Sequence, residues 1–65
     1  MSYTPAQIAE KFEAKARTLT SDALLNVIRE FIRMELYTDL FDIACGILID
    51  RNAGYGVVIE TLMDI

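Results

Sequence analysis

The lack of any cross-link is the strongest constraint on how this chain can fold. Its 65 residues include one cysteine, Cys45, and no histidine, so the chain can form neither an internal disulfide nor a zinc site of histidines and thiolates. Domains of this size normally add such a cross-link or a partner subunit, because a small core barely offsets the entropy of ordering the chain. The sequence therefore predicts one small domain, residues 1–65, completed by self-association or by another protein.

Composition narrows the classes of partner. Ten acidic and six basic residues give a net charge of -4, which argues against binding to nucleic acid or to an anionic membrane surface. The uncharged apolar segment at residues 43–49 is far shorter than the roughly 20 residues that a transmembrane helix needs. The N-terminal residues also lack the charged and apolar segments of a signal peptide. We expect a cytoplasmic protein without a nucleic-acid or membrane partner.

Two helix starts are marked by local signals. Thr4 is placed as an N-cap, with Pro5 at the first helical position and Gln7 completing a capping box. The first helix is expected to continue to about Arg17. Thr20 is placed as the N-cap of a second helix. The first helix has a narrow apolar stripe, formed by Ile8, Phe12, Ala16 and Leu19.

The second helix, expected over residues 21–36, carries more apolar surface than one packing partner can cover. At about 100° per residue its apolar side chains fill an arc of about 200°, whereas a surface helix needs only somewhat more than about 100°. The surplus predicts burial against a second copy, most simply in a symmetric dimer. The expected oligomer interface consists of Leu24, Val27, Ile28, Phe31 and Met34.

The spacing of three carboxylates indicates whether this helix ends near residue 38. In an unbroken helix Glu35, Asp39 and Asp42 would share one stripe in the centre of the apolar arc, where three like charges are prohibitively costly. A break with Thr38 or Asp39 as a new N-cap removes this conflict, and we favour it. In the unbroken alternative the three carboxylates are a candidate divalent-metal site, as in a metal-dependent hydrolase.

The following segment, residues 40–50, is apolar on almost every side and is expected at the centre of the fold. Gly54 is expected to end its helix, with positive φ at Gly54 and Gly56 in the turn that follows. Residues 56–65 have helical periodicity, although a hairpin formed within residues 46–61 is an alternative. The predicted fold is an all-α compact bundle of three to four short helices, and the alternative is an α+β fold.

Few residues suggest chemistry. Cys45 has no neighbouring base and is expected to be a buried, unreactive thiol. Arg29 and Arg33 lie one turn apart, where they either face solvent or clamp an anion. Tyr37 and Tyr55 lie at expected helix junctions and are candidate contacts for a partner. We predict no catalytic residue, no resident metal and no cofactor.

These observations favour a non-enzymatic interaction protein. We expect a regulator or inhibitor that binds a larger protein stoichiometrically, as a homodimer or higher oligomer. The alternative is an oligomer that sequesters a small anionic ligand, such as a nucleotide, between subunits through Arg29, Arg33 and a tyrosine. In size, acidity and lack of catalytic residue types the chain resembles small accessory proteins of phages and mobile elements, a likeness of type that assigns no role to any residue.

Overall fold

The structure is a computed structural model that describes residues 2–64, and within this range it contains four α-helices and no strand. The helices are α1 (Pro5–Thr18), α2 (Ser21–Arg33), α3 (Asp39–Arg51) and α4 (Tyr55–Met63). The all-α bundle is therefore confirmed. The break before α3 is also confirmed, and the C-terminal segment is a helix rather than part of a hairpin.

The predicted caps at the starts of α1 and α2 are present. The backbone N–H of Gln7 donates to Thr4 Oγ1 at 3.2 Å, and the backbone N–H of Thr4 donates to Gln7 Oε1 at 2.9 Å, which completes the capping box. At α2 the backbone N–H of Ala23 donates to Thr20 Oγ1 at 3.1 Å. Thr38 is the N-cap of α3 by backbone conformation, but its side chain makes no capping hydrogen bond. The two strongest sequence signals thus correspond to the two caps with side-chain bonds.

The second helix ends earlier than its apolar pattern suggests. A Schellman motif closes it: the N–H of Leu36 donates to the carbonyl of Phe31 at 2.8 Å, and the N–H of Glu35 donates to that of Ile32 at 3.1 Å. Glu35 has φ 57°, which makes it the one non-glycine residue with positive φ within residues 2–64. The left-handed backbone at Glu35 turns the chain out of the helix, so the expected end at residue 36 is wrong.

The third helix occupies the centre of the bundle, as its composition predicts. It packs against α1, α2 and α4, and α2 also packs against α4. The buried core consists of Ala16, Leu24, Ile28, Phe41, Ala44, Ile47, Leu48 and Ile59. Among the described residues no buried side chain is polar or charged. Burial of apolar surface by α3 is therefore the interaction that joins the four helices.

The wide apolar arc of α2 has its two packing partners within the same chain. One part of the arc faces α3 and another faces α4. Phe31 adds an edge-to-face contact with Phe12 of α1, with ring centroids 6.1 Å apart. The width of the arc is thus accounted for without a second copy.

A row of aromatic rings connects three helices and the α2–α3 connection. Phe31 meets Phe12 on one side and Phe41 on the other, the second pair at 6.4 Å and 84°. Tyr37 meets the same Phe41 ring at 5.2 Å and 83°. All three pairs have the edge-to-face arrangement that aromatic quadrupoles favour.

The turn between α3 and α4 differs from the expected one. Gly54 has φ -60°, Gly56 lies inside α4, and no glycine within residues 2–64 has positive φ. The expectation of left-handed glycines is wrong, because α4 begins at Tyr55 and both glycines adopt helical or near-helical backbone. A side chain supports the turn instead: Asn52 Oδ1 accepts a hydrogen bond from the N–H of Gly54 at 2.9 Å.

Candidate interaction surfaces

The bundle is thin and leaves large apolar side chains in contact with solvent. Its Cα atoms extend over 38 × 23 × 15 Å, and the shortest of these lengths corresponds to two packed helix layers, since helix axes lie about 8–10 Å apart and Cα atoms about 2.3 Å from each axis. Scattered exposed apolar residues are ordinary, whereas clusters beside a groove indicate binding. The exposed large apolar residues are Tyr3, Ile8, Met34, Leu36, Tyr37, Ile49, Val57, Val58 and Met63.

The first such groove, called here the α2–α4 groove, brings the two candidate arginines together. It encloses about 370 Å³ and is lined by Arg29, Ile32, Arg33 and Leu62. Ile32 and Leu62 are half-buried, whereas both arginines are exposed. The groove therefore combines apolar and cationic surface.

The two arginines differ in their local partners. Arg33 Nη2 lies 2.6 Å from Glu30 Oε2, and Arg33 Nε donates to the same oxygen at 3.1 Å. The hydrogen bond with Glu30, together with its charge, raises the pKa of Arg33 above its ordinary value. Arg29 forms no ion pair with any of residues 2–64. Arg29 is therefore the cation more available to an external anion.

The second groove, called here the α1–α3 groove, lies between the first residues of α1 and those of α3. It encloses about 260 Å³ and is lined by Pro5, Ile8, Ala9, Thr38, Asp39 and Leu40. Ile8 is 45% exposed although it belongs to the apolar stripe of α1. Tyr37, which precedes the lining residue Thr38, is 52% exposed and is held by its contact with Phe41. This groove is the more apolar of the two, with a supported aromatic residue next to it in the chain.

The five residues expected in an oligomer interface have different positions. Leu24 and Ile28 are completely buried in the core of the monomer, so neither presents surface to a second copy. Val27 and Phe31 are half-buried, and Met34 is 53% exposed. The physical reason is that α3 and α4 pack against α2 and bury Leu24 and Ile28, whereas Met34, at the end of the arc, remains exposed.

The remaining candidate residues are separated from one another. Tyr55 is half-buried and packs against the core, unlike the exposed Tyr37. Glu35 lies in the α2–α3 connection, whereas Asp39 and Asp42 lie in the first turn of α3. Because the helix breaks between them, the three carboxylates do not form a common stripe. Residues 2–64 contain no group of three or more side chains placed to hold a metal ion.

The thiol of Cys45 is half-buried beside the core. Desolvation raises its pKa from 9.0 to about 11, and the negative charge of Asp42 adds to this shift. A thiol with a raised pKa holds little thiolate near neutral pH, and thiolate is the nucleophilic form. The local environment therefore disfavours reactivity at this residue.

Sequence reasoning missed three groove residues, Ile8, Ile32 and Leu62. Helical periodicity placed Ile8 in the apolar stripe of α1, but it lies in the first turn, away from the buried residue Ala16, and is exposed. Ile32 and Leu62 belong to helices far apart in the sequence, and their common groove depends on how α2 and α4 pack. The position of Ile8 in the first helical turn, four residues after the N-cap Thr4, was the one sequence signal that it could be exposed.

Comparison of the chain with protein-family models, with curated proteins and with solved structures found no match. Within residues 2–64, the helices fall short of the length and apolar character needed to cross a membrane.

Proposed function

We propose that this protein is a small non-enzymatic interaction module, which binds a larger protein stoichiometrically and thereby regulates or inhibits it, acting as a homodimer. The observation that carries the proposal is the α1–α3 groove, with its exposed isoleucine and the supported Tyr37 next to it in the chain. The partner is expected to insert an apolar side chain into this groove.

The chemistry of the groove supports this type of contact. Ile8 and Leu40 offer aliphatic surface on two different helices, so an apolar side chain placed between them would be desolvated on both sides. Tyr37 is anchored by Phe41, so its ring loses little conformational freedom on binding. Anchored aromatic residues of this kind often supply a large share of the binding energy at protein interfaces.

The test uses two isoleucines of similar exposure. Ile8 in the groove is 45% exposed and Ile49, near the end of α3, is 40% exposed, so Ile49→Gln is a matched control for Ile8→Gln. Tagged wild type and both variants are used to capture proteins from the source organism, and each captured protein is quantified by mass spectrometry. We expect Ile8→Gln and Tyr37→Ala to reduce capture of the same protein at least about tenfold, which corresponds to about 1.4 kcal/mol of binding energy.

Thermal unfolding of each variant separates lost binding from lost folding. Ile49→Gln should keep both the fold and the captured protein. If Ile8→Gln and Tyr37→Ala remain folded and capture the same proteins as the wild type, the α1–α3 groove is not the binding surface and the proposal fails in this form.

The α2–α4 groove supports a second candidate function, the binding of a small anionic ligand between subunits. Arg29 and Arg33 lie on the same groove beside apolar surface, an arrangement suited to a nucleotide with its phosphates and base. ATP and inorganic phosphate are the probes, and the shift in melting temperature is the readout. The double variant Arg29→Gln, Arg33→Gln should lose any ATP-induced stabilisation, and an unchanged stabilisation would contradict this role.

A further inference from the structure

We infer that the outer face of α4, together with the α2–α4 groove, is the surface on which a second copy of this chain docks around a two-fold axis. The inference deepens the homodimeric part of the proposed function and is independent of the larger partner. It assigns the dimer to a surface different from the α2 residues that periodicity suggests.

Helix α4 leaves several of its apolar side chains exposed. Of its nine residues only Ile59 is buried. Val57 is 67% exposed, Val58 is 38% exposed and Met63 is 46% exposed. Beside them lies Leu62 in the α2–α4 groove, so apolar surface continues from α4 toward α2. Covering this surface would remove several aliphatic side chains from water.

Charges lie on opposite flanks of this apolar surface. Leu62 faces the α2–α4 groove and its two arginines, which makes that flank basic. At about 100° per residue, Glu60 lies on the other flank of α4, and Asp64 follows it one turn later. Around the outer face from Leu62, α4 presents Val58, Thr61 and Val57 before the acidic flank, whereas Met63 lies between Glu60 and the buried Ile59. The surface is therefore basic on one side of α4, mainly aliphatic along the helix, and acidic on the other side.

This order of charges makes the surface complementary to itself. A two-fold axis parallel to α4 superimposes the basic flank of each copy on the acidic flank of the other, and the apolar residues meet between them. A two-fold axis in the same plane but perpendicular to α4 places like charges together and is disfavoured. Each charge contact occurs twice, once on each side of the axis. Charge complementarity thus selects both the occupant, a second copy, and its orientation.

The area of the surface limits how tightly two copies are expected to bind. A standard interface buries about 800 Å² on each partner, which is about a sixth of the 4745 Å² of accessible surface on this chain. One nine-residue helix and a neighbouring groove supply less than that. The dissociation constant of the dimer is therefore expected to be micromolar or weaker. The dimer should weaken further as salt screens its charges.

A charge-exchange experiment tests the inference. The acidic variant carries Arg29→Glu and Arg33→Gln, with glutamine at position 33 because a glutamate would repel Glu30 in the same helix. The basic variant carries Glu60→Lys and Asp64→Lys. Each variant should associate with itself more weakly than the wild type, because each then presents like charges on both flanks. Mixed together they should form a heterodimer, because both contacts across the axis are again between opposite charges.

The readouts are sedimentation velocity and native mass spectrometry, from about 1 μM to about 1 mM, which covers dimers held by about 4 to 8 kcal/mol. We expect self-association of each variant to weaken at least about tenfold, and the mixture to recover wild-type association. The matched control carries Lys11→Glu and Lys15→Gln on α1, with the same spacing and the same change in net charge. This control should dimerise like the wild type.

The outcomes separate this inference from the proposed function. If the wild type dimerises but the mixture does not associate in preference to each variant alone, the α4 surface is not the interface, while the homodimer itself stands. The same result is expected if the arginines serve only a small anion. A wild type that stays monomeric over the whole range overturns both this inference and the homodimer. Capture through Ile8 and Tyr37 would be unaffected, because those residues belong to the α1–α3 groove and the connection before α3.

Discussion

Replacing Glu35 by glycine should stabilise the protein, although glycine is normally destabilising. Glu35 holds the left-handed position of the Schellman motif that ends α2, with φ 57°. An L-residue in this conformation brings its Cβ too close to a carbonyl oxygen, which costs about 1–2 kcal/mol. Glycine has no Cβ and adopts the conformation without that cost.

The expected gain is the difference between two terms. Glycine relieves about 1–2 kcal/mol in the folded state, but it also gives the unfolded chain more freedom, which costs about 0.4–1 kcal/mol. The exposed Glu35 side chain takes part in neither ion pair formed within residues 2–64, so little is lost with it. The net gain is therefore about 0.8 kcal/mol from the midpoints of the two ranges, and at most about 1.6 kcal/mol. For a domain of this size each kcal/mol shifts Tm by about 4–8 °C.

Urea denaturation and thermal melting followed by circular dichroism at 222 nm, the helix signal, measure the effect. The matched control is Glu10→Gly, at an exposed position inside α1 where the backbone is helical. There the same substitution should lower the unfolding free energy by about 1 kcal/mol, because glycine is a poor helix former. The unfolding free energy should therefore rise in Glu35→Gly and fall in Glu10→Gly. If Glu35→Gly destabilises as much as Glu10→Gly, the connection is not strained at Glu35 and the reasoning is refuted.

Two further predictions concern α3. Ile47 is 5% exposed and Ile49 is 40% exposed. Ile47→Ala should therefore lower the unfolding free energy by about 2–5 kcal/mol, a large part of the roughly 3–10 kcal/mol available to a domain of this length. Ile49→Ala should lower it by well under about 1 kcal/mol. Equal losses in urea denaturation would contradict the central position of α3. Cys45 should react more slowly with iodoacetamide in the folded than in the unfolded chain at pH 8. Because its pKa is raised from 9.0 to about 11 on folding, the unfolded thiol ionises first, and stability should fall as the pH rises from 9 toward 11 in the wild type but not in Cys45→Ala.

The local parts of the fold could be predicted from the sequence because their causes are local. The bonds between Thr4 and Gln7, and between Thr20 and Ala23, join residues three positions apart, so the residue types at that spacing are enough to locate the caps. The break before α3 followed from the cost of burying three carboxylates. The end of α2 was missed because glutamate is an unusual residue for the left-handed position that glycine normally fills.

The non-local parts could not be predicted in the same way. Periodicity shows which face of a helix is apolar, but it does not show which element covers that face. The arc containing Leu24 and Ile28 therefore suggested a second copy, whereas α3 and α4 of the same chain cover it. Both grooves likewise join residues from different helices, and their lining depends on how those helices pack. The sequence did identify Arg29 and Arg33 as a pair, because they lie one turn apart in the same helix.

The aromatic row has a mechanical consequence for the bundle. An edge-to-face pair depends on the angle between two rings, so Phe31, which contacts both Phe12 and Phe41, resists rotation of α1, α2 and α3 about their own axes. The same row ends at Tyr37 on the surface. We expect a molecule that turns the Tyr37 ring to change its contact with the Phe41 ring at the start of α3. Since the chain has no tryptophan, the near-ultraviolet circular dichroism of its tyrosines and phenylalanines would report this rotation directly.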